Sequence, residues 1–293
     1  MSENNPNPVP GGPEEGPLYA PESGFSLFLK LFIVPAGIVA VALGIFLLGT
    51  LSLQNPKTAA QYLEEFRSDN TSRRWQSALE LSRLLTQGEK IQFDDKLRGE
   101  LVTAFMAAKS DDPRVREYLA LVLGSLKEKS AIPALAEAVD DSSENVKVNS
   151  LWALGNIEDP AAGPAALKAL SQSDAGVQLM AVGALSAMKY GPAKFALEKN
   201  LESLTQDLRY DSAVALGRLK DAKAIPTLLE MLNLKTTGQV VTDQMVEPAK
   251  IAAIEGAQAL GNASLRQKVV DLSKNDPDLK VREAALEALK KQF

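Results

Sequence analysis

The stretch VKVNSLWALGNI, Val146 to Ile157, decides the fold. Val146, Val148, Leu151, Leu154 and Ile157 recur mainly at three-residue steps, which lays one apolar face along a helix. The stretch has relatives at a fixed interval. Val115, Val146, Val177 and Leu208 follow one another at steps of 31 residues, and Leu123-Gly124, Leu154-Gly155, Leu185-Ser186 and Leu216-Gly217 keep the same register. A second column holds Pro133, Pro164 and Pro226, with Phe195 in the remaining slot. Around it, AIPALAEAV places Ile132, Leu135, Ala136 and Val139 on one side of a shorter helix. Asp112-Pro113 and Asp276-Pro277 read as helix starts, an N-cap followed by proline in the first turn, while Asp159-Pro160 and Gly191-Pro192 separate one helix from the next.

One such hairpin cannot bury its apolar face alone, whereas stacked copies share a continuous core. The expectation is an all-α solenoid of about seven antiparallel helix pairs over residues 57–293. Small residues in the valine-column helix (Ala153, Gly155, Ala184, Ala213, Ala215, Gly217, Ala257, Ala259) let neighbouring helices approach closely. Glycine is there a packing device, since neither a G-x-x-x-x-G-K-[ST] nor a strand-borne G-x-G-x-x-G occurs.

The period slips once. Leu260-Gly261 stands 44 residues after Leu216-Gly217, a displacement of 13 residues. It is placed at TTGQVVTDQMVEP, Thr236 to Pro248, between the helices of the sixth pair. As an added loop it offers Gly238, Val240, Val241, Asp243, Met245 and Val246 to a partner; folded back on its own repeat, it is a tolerated insertion. One position after the valine column run Arg116, Lys147, Gln178, Arg209, Ala253 and Arg282, a line in which four of six places are basic. It reads as a partner-binding stripe for an acidic surface, or as a solvated edge paired with Asp141, Glu117 and Asp211. The acidic pairs Asp94-Asp95, Asp111-Asp112 and Asp140-Asp141 fall at helix boundaries, where capping accounts for them.

The N-terminal side differs in kind. Residues 1–23 hold six prolines and four glutamates without Lys or Arg, and read as a disordered tail. Within 24–56, Leu31 to Leu53 is a run of 23 residues without charge. At 1.5 Å per residue it reaches about 34 Å, enough to cross a hydrocarbon core of roughly 30 Å, so a single-pass anchor is expected. Lys30 lies at one edge and Lys57, Arg67, Arg73 and Arg74 follow the other, which favours a cytoplasmic solenoid and leaves the opposite side open. Arg73 and Arg74 are membrane-proximal candidates for lipid headgroups or a neighbouring subunit; Trp75 begins the core series Ala78, Leu79, Leu81, Leu84.

Two zeros narrow the chemistry: the 293 residues contain no Cys and no His. Thiolate nucleophiles, thiolate zinc sites, imidazole acid-base catalysis and His-ligated metals are excluded. Residues 57–293 carry 31 Lys and Arg against 33 Asp and Glu, a net −2 that argues against nucleic-acid binding.

Units such as VREYLALVLGSLKEKSAIPALAEAV, Val115 to Val139, and YDSAVALGRLKDAKAIPTLLEML, Tyr210 to Leu232, resemble the HEAT-like repeats of phycobiliprotein lyases. The resemblance covers Asp112 to Phe293 well and implies an α-solenoid. Its wider class holds bilin lyases, a di-iron hydroxylase, DNA glycosylases and adaptors; the hydroxylase's metal-binding His-Glu pairs have no counterpart here. The expectation is therefore a membrane-anchored scaffold or adaptor for a protein partner, in a transport or envelope complex for example, with no enzymatic activity, cofactor, metal or nucleic acid. The alternative is a lyase-like or chaperone-like protein acting on a protein substrate.

Overall fold

The computed structural model describes residues 32–53, 57–235 and 243–291; of residues 48–53 and 243–244 only the backbone is described. The chain divides into two units, Met1–Lys57 and Thr58–Phe293. The tail read over residues 1–23 lies outside the described residues, as does Lys30.

In the first unit, α1 runs from Val34 to Leu53 and carries Pro35 in its first turn, where a missing N–H costs no hydrogen bond. Its described side chains are apolar and outward-facing on every side, from Ile38 and Val41 to Ile45 and Phe46, each more than 60% exposed. Among the described residues no helix is long and apolar enough to cross a membrane. The span read over Leu31 to Leu53 extends past them at both ends, beginning at residue 31 and continuing through the side chains of 48–53.

The second unit is a two-layer helical stack. One layer holds the first helix of each pair, short in the central repeats: α2 (Ala59–Phe66), α4 (Asp95–Ala107), α6 (Ile132–Ala138), α8 (Gly163–Ala169), α10 (Lys194–Asn200), α12 (Ile225–Leu232) and α14 (Ala263–Asn275). The other holds α3 (Thr71–Thr86), α5 (Pro113–Ser125), α7 (Glu144–Ile157), α9 (Ala175–Ala187), α11 (Gln206–Arg218), α13 (Asp243–Leu260) and α15 (Leu279–Lys290). Each long helix packs on the next long helix and on the first helix of its own pair, giving seven pairs among the described residues. The core between the layers is the column set of the sequence: Val115, Val146, Val177, Leu123, Leu154, Leu185 and Leu216 are all at most 2% exposed.

Local chemistry fixes the corners. Asp112 caps α5 by accepting from the Arg114 N–H at 3.0 Å, with Pro113 in the first turn. Lys127, Glu158, Lys189 and Lys220 close the long helices with positive φ of 49°, 58°, 49° and 56°, one residue per repeat at the same position. A single 3₁₀ turn then starts each of the short helices α6, α8, α10 and α12, at Lys129–Ala131, Pro160–Ala162, Gly191–Ala193 and Ala222–Ala224. The small residues do what their spacing predicts: a Cβ on Gly124 would lie 2.6 Å from Ala153 Cα, and one on Gly217 2.6 Å from the Gly256 carbonyl oxygen. Close backbone approach between stacked long helices requires glycine at those points.

Two boundaries differ from the sequence reading. Helix α15 starts at Leu279 behind the N-cap Asp278, not at Asp276-Pro277, because Asp276 is buried in an ion pair instead of capping. Residues 243–248 of the insertion are helical, extending α13 at its N-terminal end, and Val246 is buried while Met245 is 55% exposed. Pro248 is accommodated within the first two turns.

Candidate functional site

The basic line resolves into a structural device. All of its members but Ala253 sit four residues after the N-cap of their long helix, and three of the side chains turn back over the loop that enters the helix. Arg209 Nη1 donates to the Ser203 carbonyl at 3.0 Å, Arg282 Nη1 to the Asp276 carbonyl at 2.6 Å, and Gln178 Nε2 to the Gln172 carbonyl at 2.7 Å. In all three the acceptor is six residues back. Lys147 Nζ donates to Gln172 Oε1 at 3.2 Å, tying its loop to the next repeat. Arg116 is 6% exposed, pairs with Asp141 and lies 5.0 Å from the Phe105 ring; burial lowers its pKa. Ala253, in the fifth place, is buried. The solvated-edge partner Asp141 is thus found, but in a pair whose side chains are only 7% and 12% exposed, and Arg116 presents no open cationic surface.

Arg74 belongs to the same series. It too stands four residues after an N-cap, Asn70, and donates to the Ser68 carbonyl at 2.5 Å and to Asp111 at 2.5 and 2.6 Å. The charged hydrogen bond to Arg74 is the main cause of the lowered Asp111 pKa. Arg74 therefore joins the loops of the first two repeats. Arg73 is exposed, 3.5 Å from Glu65. Trp75 packs against the core, with the Arg114 guanidinium 4.2 Å above its ring. Of the acidic pairs, Asp94 and Asp112 do cap helices, whereas Asp111, Asp140 and Asp141 pair with Arg74, Lys168 and Arg116.

Of the insertion candidates, Gly238, Val240 and Val241 lie outside the described residues, as does the side chain of Asp243, the first residue of α13. The foot of the insertion frames a cleft of about 400 Å³ lined by Leu234, Val246, Lys250, Leu272 and Asp276. Its wall contains the buried pair Lys250 Nζ to Asp276 Oδ2 at 2.6 Å. A second cleft, about 480 Å³, opens between α2 and α4 over Phe66, Ala104 and Leu119, rimmed by the Arg67–Glu100 pair at 3.0 Å.

One row escaped the sequence reading. Nine residues after the N-caps stand Leu79, Leu121, Trp152 and Gly183, all at least partly exposed, on the face of the long helices that the columns of the core leave open. Beside it run Tyr118, Asn149, Met180 and Asp211, also accessible. Neighbouring repeats touch along these rows: Asn149 Nδ2 donates to the Glu117 carbonyl at 3.4 Å, and Arg218 reaches Ser186 Oγ at 3.3 Å and Glu255 at 2.8 Å. Nothing lies within 4 Å of a Cβ built on Gly183. The period that revealed the valine column would have revealed this row six positions further on, had exposure and not apolarity been sought.

The repeats match known ones. Residues 102–186 and 138–214 match the family model described as HEAT repeats, and residues 208–233 that described as PBS lyase HEAT-like repeat. The chain carries HEAT-like repeats. Two solved structures share the fold. One is the complex of CpcE and CpcF of phycocyanin lyase from Nostoc sp. PCC7120, 17% identical, with a TM-score of 0.57 over 82% of this chain and 90% of that one. The other is YibA of E. coli, 20% identical, with a TM-score of 0.53 over 83% and 85%. No curated protein matches the sequence.

Proposed function

We propose that the chain is a protein-binding scaffold, a HEAT-like solenoid tethered to a membrane by α1 and acting as a subunit or adaptor of a membrane complex. The observation that carries the binding reading is the open row Leu79, Leu121, Trp152 and Gly183, which with Tyr118 and Met180 crosses four stacked repeats. Apolar side chains left half-exposed in a contiguous strip on a rigid frame are the usual core of a docking surface. The tether is supported by the apolarity of α1 on all sides and by the uncharged run that continues through Leu53. A helix apolar all round has no polar stripe to turn to water. Tethering raises the solenoid's effective concentration for partners at the bilayer, and the excess of Lys and Arg after the span favours the cytoplasmic side for it.

The binding claim is tested by a photo-crosslinking residue at Met180 in intact membranes, with the same residue at exposed Met106 on α4 as control. A discrete adduct from position 180 and none from 106 is expected; equal labelling of both would sink the assignment of the face. Carbonate extraction tests the tether: the full chain stays with the membrane pellet, and release into the supernatant would overturn it.

A further inference from the structure

Two features of the open face work against the fold. Gly183 lies inside α9, where glycine weakens a helix relative to alanine, yet a Cβ there would meet nothing within 4 Å. Packing gives no reason for it, in contrast to Gly124 and Gly217. One repeat on, Asp207 and Asp211 stand one turn apart on α11, a like-charged i,i+4 pair that destabilises a helix. Asp207 is in the first turn, where the helix dipole favours it; Asp211 is beyond it. Neither carboxylate has a hydrogen bond or ion pair among the described residues. Burial, and after it the charge of Asp207, pushes the Asp211 carboxyl up, although Asp211 is exposed to water.

Two cations near the strip are already engaged. Arg114 pairs with Asp112 at 2.6 Å and covers Trp75, and Arg218 pairs with Glu255. At the α11 end of the strip the uncompensated charge is that of Asp207 and Asp211, whereas Arg83 is exposed one turn after Leu79 at the other end.

We propose that this face takes a cationic, apolar-flanked segment of a partner protein: a lysine or arginine side chain sits between Asp207 and Asp211, and a neighbouring apolar side chain fills the notch above Gly183 beside Met180 and Trp152. The inference rests on the reading of the face as a docking surface and names its occupant. Stacked long helices are about 10 Å apart, the span of roughly three residues of extended chain, so both side chains can come from one short segment. Residues kept at a cost to stability are the expected mark of a binding site. The bound cation would relieve the repulsion between the two carboxylates, and the apolar side chain would supply the contacts that Gly183 leaves vacant.

The test uses the full-length chain in detergent with Trp75→Phe, which leaves Trp152 as the only tryptophan. The probes are a short synthetic peptide of alternating lysine and leucine and its counterpart with serine for lysine. The lysine-leucine peptide shifts Trp152 emission, and Asp207→Asn/Asp211→Asn weakens its binding roughly tenfold without lowering the melting temperature. Gly183→Leu, which fills the notch in open space, weakens it similarly in a chain that still melts cooperatively. Equal binding of the two peptides, or an unchanged affinity in the double variant, overturns the cationic occupant while leaving a docking face. A silent Trp152 with every peptide and variant would overturn the docking face as well.

Discussion

From α5 to α9 the long helices meet through glycine and alanine, Gly124 against Ala153 and Gly155 against Ala184, at their points of closest approach. Past the insertion, α13 is held to the loop before α15 by Lys250 and Asp276, whose side chains are only 7% and 2% exposed. The strict 31-residue period makes one close-packed seam serve each step of the central region. Where 13 extra residues displace the register, that seam ends at Gly217–Gly256, and a buried ion pair fastens the last repeat. The two regions should respond to opposite kinds of substitution.

The largest effect is expected at the ion pair. Lys250→Ala leaves Asp276 buried without its cation and should cost about 3–5 kcal/mol in urea unfolding, whereas Lys250→Met/Asp276→Leu should recover most of the loss. A double variant as unstable as the single one would mean that the pair is needed as a charge and not as volume. In the central region Leu154→Ala should cost about 2–5 kcal/mol, because Leu154 is completely buried between the layers.

Glycines sharpen the comparison. Gly124→Ala forces its Cβ to within 2.6 Å of Ala153 Cα and should cost about 1–3 kcal/mol. Gly183→Ala, with open space above it, should instead gain about 0.5–1 kcal/mol. If both lower the denaturation midpoint alike, the open face has been misassigned.

These contrasts also mark what a sequence discloses. Valine, leucine and glycine columns were legible because burial selects by size at every repeat, so a core position writes the same residue type again and again. The ladder was legible as a line but not as a strut, since Arg209 and Arg282 spend their donors on carbonyls six residues back, and main-chain acceptors leave no trace in residue identity. Arg74 was read with the membrane because it stands near the apolar run; only its N-cap offset shows that it is the first rung. The open row stayed hidden for the opposite reason: Leu79, Leu121, Trp152 and Gly183 differ in size and type, and what unites them is exposure. The helical extension at 243–248 was masked by Pro248, which stands inside the second turn of α13, where proline ordinarily ends or kinks a helix.

The smallest effect is the most specific to the face. Asp211 has a raised carboxyl pKa, so its ionised form is disfavoured in the folded state relative to the unfolded chain. Below the ordinary carboxylate range Asp211 is protonated in both states and the penalty vanishes; as pH rises through the folded-state value the penalty appears in full and persists at neutral pH. Asp211→Asn removes that term, so variant and wild type should be equally stable under acid conditions, with the variant ahead by a few tenths of a kcal/mol at neutral pH, the scale of an i,i+4 repulsion. Asp112 gives the contrary sign: its carboxyl is held at about 2, mainly by the hydrogen bond from the Arg114 side chain, so Asp112→Asn should lose stability at neutral pH and converge with wild type only toward that value. Paired unfolding curves across the acid range therefore separate an aspartate that the solenoid uses from one that it merely tolerates. Parallel curves for Asp211→Asn and Asp112→Asn would erase that distinction.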